Sequence, residues 1–289
     1  MHGFLTIDKP AGPTSHDVVA RVRRVARRGV KVGHAGTLDP AATGVLPVAL
    51  GYATRLIEYL ADARKGYIGT VRLGVTTTTD DAEGDVLETR PVPSLDDATI
   101  EAAVAPLRGA ILQVPPIYSA LHHAGRRLYD LARAGQAPTL PARPVMIEHL
   151  VWSRTDPEHL QLEVVCGKGT YIRSLARDIG AALGCGGHLA SLRRTFVGPF
   201  RLAEALALED LPADPATLAT HLAPPELALA GWPAVRLDAA AAGRVAHGLA
   251  LRLPDLAGER ARAHGPDGDL LAVLRREGDT WHPEKVFGS

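Results

Sequence analysis

The sequence predicts an α+β protein with a smaller, β-rich unit at its C-terminal end. Three observations lead there. Strand-like alternation and helix-like periodicity are interspersed through about the first 210 residues. From 211 to 231 the chain is rich in Ala, Pro and Leu, with Pro212, Pro215, Pro224 and Pro225, and reads as a boundary. Beyond it, short apolar runs at 249–253, 260–263, 270–274 and 286–287 are split by turns such as His264-Gly265-Pro266-Asp267-Gly268-Asp269.

Taken in order, Phe4-Leu5-Thr6-Ile7 is a short strand ended by the breaker-rich Asp8-Lys9-Pro10-Ala11-Gly12-Pro13. Thr14 or Ser15 caps a helix expected to run to Arg28, with Gly29 as its stop. On a helical wheel Val18, Val19, Val22, Val25 and Ala26 share one arc, and Arg21, Arg23, Arg24, Arg27 and Arg28 take the other. Such a charged face is solvated in most proteins. Five arginines with no acid among them equally suit a phosphate backbone.

The loop that follows, Gly33-His34-Ala35-Gly36-Thr37-Leu38-Asp39-Pro40-Ala41-Ala42-Thr43-Gly44, is the most singular stretch of the chain. Asp before Pro makes a turn by itself. The flanking glycines add close approach of another backbone or of a ligand. Val45 to Gly51 reads as a buried strand with Pro47 at a bulge or edge, and 53–60 as a helix. Lys65 to Gly74 alternates as a strand, with Tyr67, Gly69, Val71 and Leu73 on one face. Thr76 to Asp85 is a polar loop whose acids lack EF-hand spacing and suit turn bonds or ion pairs with the arginines.

A helix over 96–108, capped near Ser94, precedes the stiff, extended Gln113-Val114-Pro115-Pro116-Ile117-Tyr118-Ser119-Ala120-Leu121 and a basic excursion over 122–134 with Arg126, Arg127 and Arg133. The adjacent His122-His123 lacks metal-site spacing. After a strand over 160–165, Gly167-Lys168-Gly169-Thr170 turns into a helix to 183 that carries Arg173 in its first turn. The full P-loop pattern is missing, which argues against nucleoside triphosphate binding. Leu189 to Arg194 leads into a strand around Phe196.

Composition narrows the class. The 289 residues hold 46% apolar and 22% charged side chains, ordinary for a water-soluble globular chain. Cys166 and Cys185 form no CxxC and fit a reducing, cytoplasmic setting. Met1 to Lys9 shows no signal-peptide core, and no apolar run is long enough to span a membrane. Net charge is zero but unevenly spread: residues 1–65 hold ten Lys and Arg against five acids, 66–105 two against eight, and 106–145 five against one. Local positive patches on a neutral chain suit a polyanion bound at one place.

Several stretches together resemble the bacterial tRNA pseudouridine-55 synthase (TruB) family. They are Asp8-Lys9-Pro10 with Gly12; Gly33 to Pro40 and on to Gly44; Tyr67 after Lys65; Pro115 and Ile117-Tyr118-Ser119-Ala120; Lys168-Gly169-Thr170-Tyr171-Ile172-Arg173; and Leu192-Arg193-Arg194. They occur in the family's order over about residues 3–210. The resemblance implies the pseudouridine synthase fold, with a mixed, largely antiparallel central sheet flanked by helices, and a C-terminal PUA-like β-barrel. It divides the chain into a catalytic domain over 1–210 with an RNA-binding insertion at about 115–143, a linker over 211–231 and an RNA-binding domain over 232–289.

The implied chemistry is isomerisation of uridine 55 in the tRNA T-loop, without cofactor or metal. Asp39 is then the reacting carboxylate, acting at C6, at C1′ or on a sugar proton. Burial opposes the ionisation that a nucleophile needs, and the resemblance gives Arg173 the role of counter-charge. Tyr67 stacks on the extruded base near the C5 proton, and His34 is the wedge that fills the gap it leaves. Asp81 bonds the flipped nucleotide, Leu192 walls the uracil pocket, and Lys9, Gly36, Arg24 and Arg28 complete the RNA-binding set. The tRNA T-arm is the expected partner of a monomer with no required protein partner and no membrane attachment.

Overall fold

The structure, a computed structural model, describes residues 1–118, 122–123, 126–127 and 140–287. Its first half runs β1 (Gly3–Lys9), α1 (Ser15–Val25), β2 (Val32–His34), β3 (Thr43–Leu50), α2 (Ile57–Ala61), β4 (Lys65–Leu73), β5 (Val75–Thr77), β6 (Val86–Thr89), α3 (Asp97–Val104) and β7 (Gly109–Gln113). It continues with β8 (His122–His123), β9 (Arg126–Arg127), β10 (Arg143–Asp156), β11 (His159–Cys166), α4 (Ile172–Ala182), β12 (Gly187–Val197), β13 (Phe200–Arg201), β14 (Leu206–Ala207) and α5 (Pro215–Thr220). The chain closes with β15 (Ala234–Arg236), α6 (Ala239–Ala246), β16 (Arg260–His264), β17 (Leu270–Glu277) and β18 (Thr280–Val286).

The main sheet has the order β14-β1-β3-β12-β4-β11-β10-β7, with β2 added to β3 and β13 to β12. It is mixed and largely antiparallel: β1/β14 and β3/β12 are parallel and the other pairs antiparallel. β3 is buried along nearly its whole length, as an interior strand covered on both faces must be. Pro47 sits in its middle, opposite Thr6 of β1. Its other flank is open there, because β12 pairs only with Thr43 and Gly44 and β2 only with Val48 to Leu50. A residue without an N–H falls in the gap between two neighbours, and its carbonyl accepts from Ala35 N–H at 2.9 Å.

Helix α1 opens with a capping box, Thr14 with Asp17. Val18, Val19 and Val22 pack against Leu5, Ile7, Leu46 and Val48. The helix ends at Val25 instead of Arg28, since Ala26 is already extended, which leaves Arg27 and Arg28 in the turn beyond it. On the other half of the sheet α4 lays Ile172, Leu175, Ala176 and Ile179 on Val71, Leu73 and Leu162.

Four local expectations change. The helix expected over 53–60 is a 3-10 turn, Gly51–Leu56, followed by the short α2. Helix α3 is capped by Asp96, which accepts from Thr99 N–H at 2.8 Å, and not near Ser94. The 189–194 stretch, expected as a lead-in, lies inside β12, where antiparallel pairing with β4 makes it continuous strand. Of the expected insertion, most residues, including Arg133, lie outside the described ones; β8 and β9 pair antiparallel.

Residues 211–231, expected as a linker, are packed. Leu218 and Leu229 are fully buried, and Ala223 exchanges two backbone hydrogen bonds with Phe4 of β1, at 2.9 and 2.8 Å. The C-terminal unit is a four-stranded sheet, β15-β16-β17-β18, around Leu237, Val245, Leu274 and Trp281. No closed barrel is formed by these described strands: β15 and β18 stay at opposite edges, and only Leu251 bridges to Trp281 on β18. Helix α6, capped by Asp238, was not anticipated. The two units share a core, because Leu270, Val273 and Phe287 join Phe4, Leu56 and Phe200 in one cluster. Among the described residues no helix is long and apolar enough to cross a membrane.

Candidate active site

The loop between β2 and β3 is rigidly held. Five consecutive carbonyls each find a donor: Gly36 and Thr37 from the Arg194 guanidinium at 3.1 and 3.2 Å, Leu38 from Ser15 hydroxyl at 3.1 Å, and Asp39 from Ala42 N–H at 3.1 Å. The fifth, Pro40, accepts from Lys9 Nζ at 3.0 Å and Gly12 N–H at 2.9 Å. Leu38 N–H also bonds Ser15 Oγ at 2.9 Å. Gly36 and Gly44 both have φ near +100°, and a side chain on Gly44 would meet the Arg194 carbonyl oxygen at 2.2 Å. The turn is therefore fixed from beneath, and it brings Asp39, with Ala41 and Ala42 beside it, to the lining of the cleft.

Across the cleft stands α4. Arg173, 9% exposed as a side chain, reaches Asp39 Oδ2 with Nη2 and Asp81 Oδ2 with Nη1, both at 3.2 Å. The same nitrogens donate to the carbonyls of Tyr118 at 2.9 Å and Thr79 at 3.1 Å. A guanidinium with five donors can serve four acceptors where an ammonium cannot. One turn on, Arg177 bonds Asp80 Oδ2 at 2.8 Å and the Val114 carbonyl at 2.9 Å. Two acids of 76–85, Asp80 and Asp81, thus pair with arginines, and Asp81 also accepts from Thr79 hydroxyl and Glu83 N–H. A cleft opens among Asp39, Ala42, Asp81, Arg173, Leu189 and Leu192.

Tyr67 on β4 packs with Leu192 against the core under α4. Burial pushes its phenol above the ordinary value, and the nearby Arg194 guanidinium opposes the shift. His34, on β2, meets His16 edge-on at 5.2 Å between centroids, and its buried Nδ1 has no partner among the described residues. Burial, with help from His16 and Arg194, lowers its pKa below 6.5. An unfolded chain takes up that proton more readily, so stability from this group is full above about pH 6.5 and declines as pH falls through it. His34→Gln should therefore lose less thermal stability than the parent between about pH 7.5 and 5. Equal acid sensitivity in melting curves would contradict this.

The fold brings Asp39, Asp81, Arg173 and Leu192 to one cleft, and Tyr67 and Leu192 pack on the same core cluster. Lys9 is a correction: it is fully buried at the end of β1, and its ammonium bonds the Pro10 and Pro40 carbonyls, so it pins the loop and offers no surface charge to RNA. Gly36 supplies the positive φ and a carbonyl for Arg194. Arg24 and Arg28 are exposed on and just beyond α1, away from the cleft lining. Sequence reasoning missed Ser15, Arg177 and above all Arg194. The signals were a serine at a helix start next to the loop and two successive arginines in a strand, of which the pleat must turn one inward.

Family models match nearly the whole chain: "TruB family pseudouridylate synthase (N terminal domain)" over 23–172, "tRNA pseudouridylate synthase B C-terminal domain" over 173–230, and "tRNA Pseudouridine synthase II, C terminal" over 232–288. The tRNA pseudouridine synthase B of Dinoroseobacter shibae is 49% identical over 292 residues, covering 99% of this chain and 95% of that one. The chain belongs to the TruB family of pseudouridine synthases. It is thus an enzyme of the class that isomerises uridine to pseudouridine. The tRNA pseudouridine synthase B of Thermobifida fusca is 46% identical, covering 99% and 98%. Among solved structures, a Cbf5-Nop10-Gar1 complex matches with TM-score 0.75 at 28% identity, over 99% of this chain and 85% of that one.

Proposed function

We propose that the chain converts uridine 55 in the T-loop of tRNA to pseudouridine at the cleft between Asp39 and Arg173. The observation that supports this reading most is the fork of Arg173 between Asp39 and Asp81, opposite a turn whose five successive carbonyls are all bonded. A pure RNA binder has no use for a carboxylate held by an arginine in an apolar-walled cleft above a tyrosine.

The reaction breaks N1–C1′, forms C5–C1′, and moves a proton from C5 while N1 gains one. Nothing is oxidised or reduced. The uridine is first flipped out of the loop, at a cost of about a few kcal/mol in stacking. His34 fills the vacancy, Tyr67 stacks on the base near C5, and Leu192 closes the pocket wall. Asp39 reacts at C6, at C1′ or on a sugar proton, and each route requires the same ionised carboxylate beside the ring. Arg173 keeps that charge in place in the ground state. Asp81 bonds the nucleotide once Arg173 and the base share the cleft.

Phosphates of the T-arm are held by the arginine face of α1. Arg24→Glu with Arg28→Glu is expected to weaken tRNA binding by about tenfold or more and to reduce the slope of log Kd against log salt. An unchanged slope would mean that this face is merely solvated. The substrate assignment is tested with T-arm stem-loops labelled with tritium at C5 of each uridine in turn. Release is expected from position 55, and release from another position instead would overturn the assignment.

A further inference from the structure

Arg194 is 1% exposed and lies where β12 parts from β3. Nε donates to the Val45 carbonyl at 2.8 Å, in the gap that also admits Pro47. Nη1 and Nη2 hold Thr37 and Gly36, and Tyr67, the cross-strand partner of Arg194 on β4, keeps its phenol beside the guanidinium. One side chain thus ties together β3, the turn that carries Asp39 and the tyrosine under the cleft. No carboxylate pairs with it among the described residues. A buried cation without an anion is costly, so carbonyls and a phenol are an expensive way merely to fill space. A buried leucine or methionine would serve packing as well.

We propose that Arg194 is a positioning residue that sets the distance between the Asp39 carboxylate and the Tyr67 ring, and so governs the rate of isomerisation and not the affinity for RNA. This rests on the reading of Asp39 as the reacting group. The mechanism is geometric. Gly36 and Thr37, just before Asp39, are bonded to the guanidinium of the residue that pairs with Tyr67 across β4, so the turn and the ring share one rigid support. A misplacement of about 1 Å at such a site costs about 100-fold in rate. RNA itself never touches this buried side chain.

The test uses the full-length protein and tRNA transcript, with Arg194→Lys, Arg194→Met and Asp39→Asn, each assayed well below its own melting temperature. Single-turnover rate and tRNA Kd are measured separately. Arg194→Met is expected to lose about 100-fold in rate with Kd within about threefold. Arg194→Lys, which keeps the charge but cannot span the acceptors, should fall nearly as far. In a Tyr67→Phe background, which removes one shared partner, Arg194→Met should cost less than in the parent. Unchanged rates, full activity in the Lys variant, a loss confined to Kd, additive effects with Tyr67→Phe, or failure of both Arg194 variants to fold would each overturn the proposal. An active Asp39→Asn protein would overturn the reading of Asp39 itself, whatever Arg194 does.

Discussion

Asp39→Asn is expected to reduce pseudouridine formation by about 10⁴-fold or more while tRNA binding stays within about tenfold. The carboxylate is the charged group that a turn with five bonded carbonyls brings to the cleft lining. Amide for carboxylate keeps the shape and removes the charge. The side chain is 43% exposed, so its ion pair with Arg173 adds little to stability, about 0–1 kcal/mol. The variant should therefore melt close to the parent. Tritium release from C5-labelled tRNA measures the reaction, and turnover surviving in the Asn protein would remove Asp39 from its role.

Arg173→Met should damage both rate and stability, for separable reasons. On the Asp81 side the two partners are 9% and 13% exposed, so loss of the arginine leaves a poorly solvated carboxylate and two carbonyls without their donor. Breaking such a buried pair costs about 3 kcal/mol. On the more exposed Asp39 side the cost appears as rate, about 100-fold or more, because the reacting carboxylate loses its anchor. Adding Asp81→Asn should recover part of the melting temperature, by removing the stranded charge, without recovering the rate. Thermal melts and single-turnover assays separate the two. Joint recovery would mean that Arg173 serves structure alone.

The parts of this site legible in the sequence are those set by local geometry. Asp before Pro, bracketed by glycines, marked the turn; the capping residues marked α1; the alternation of β4 put Tyr67 on its buried face. What stayed hidden depends on contacts between distant segments. Lys9 follows a strand and precedes Pro, which looks like a solvent-facing end. Yet its acceptor, the Pro40 carbonyl, is 31 residues away. Arg173 on a helix wheel is one more exposed arginine until the acidic loop and the 114–118 segment close over it. Arg194 is harder still, since two of its acceptors lie in the distant 36–37 turn and the third, the Val45 carbonyl, is open because β2 and β12 leave a gap along β3. Of the apolar runs near the C-terminus, 260–263 and 270–274 fall in β16 and β17, whereas 249–253 holds only the Leu251 bridge and 286–287 the end of β18; closure into a barrel depends on edge pairing that no run reveals, and β15 and β18 do not pair.

The central claim is that the Asp39 cleft isomerises one tRNA uridine. Mapping of pseudouridine in unmodified tRNA incubated with the purified protein tests it most directly. A single new pseudouridine at position 55, formed by the parent protein and missing with Asp39→Asn, is the predicted result. Pseudouridine at another position, or its formation by the Asp39→Asn protein, would contradict it.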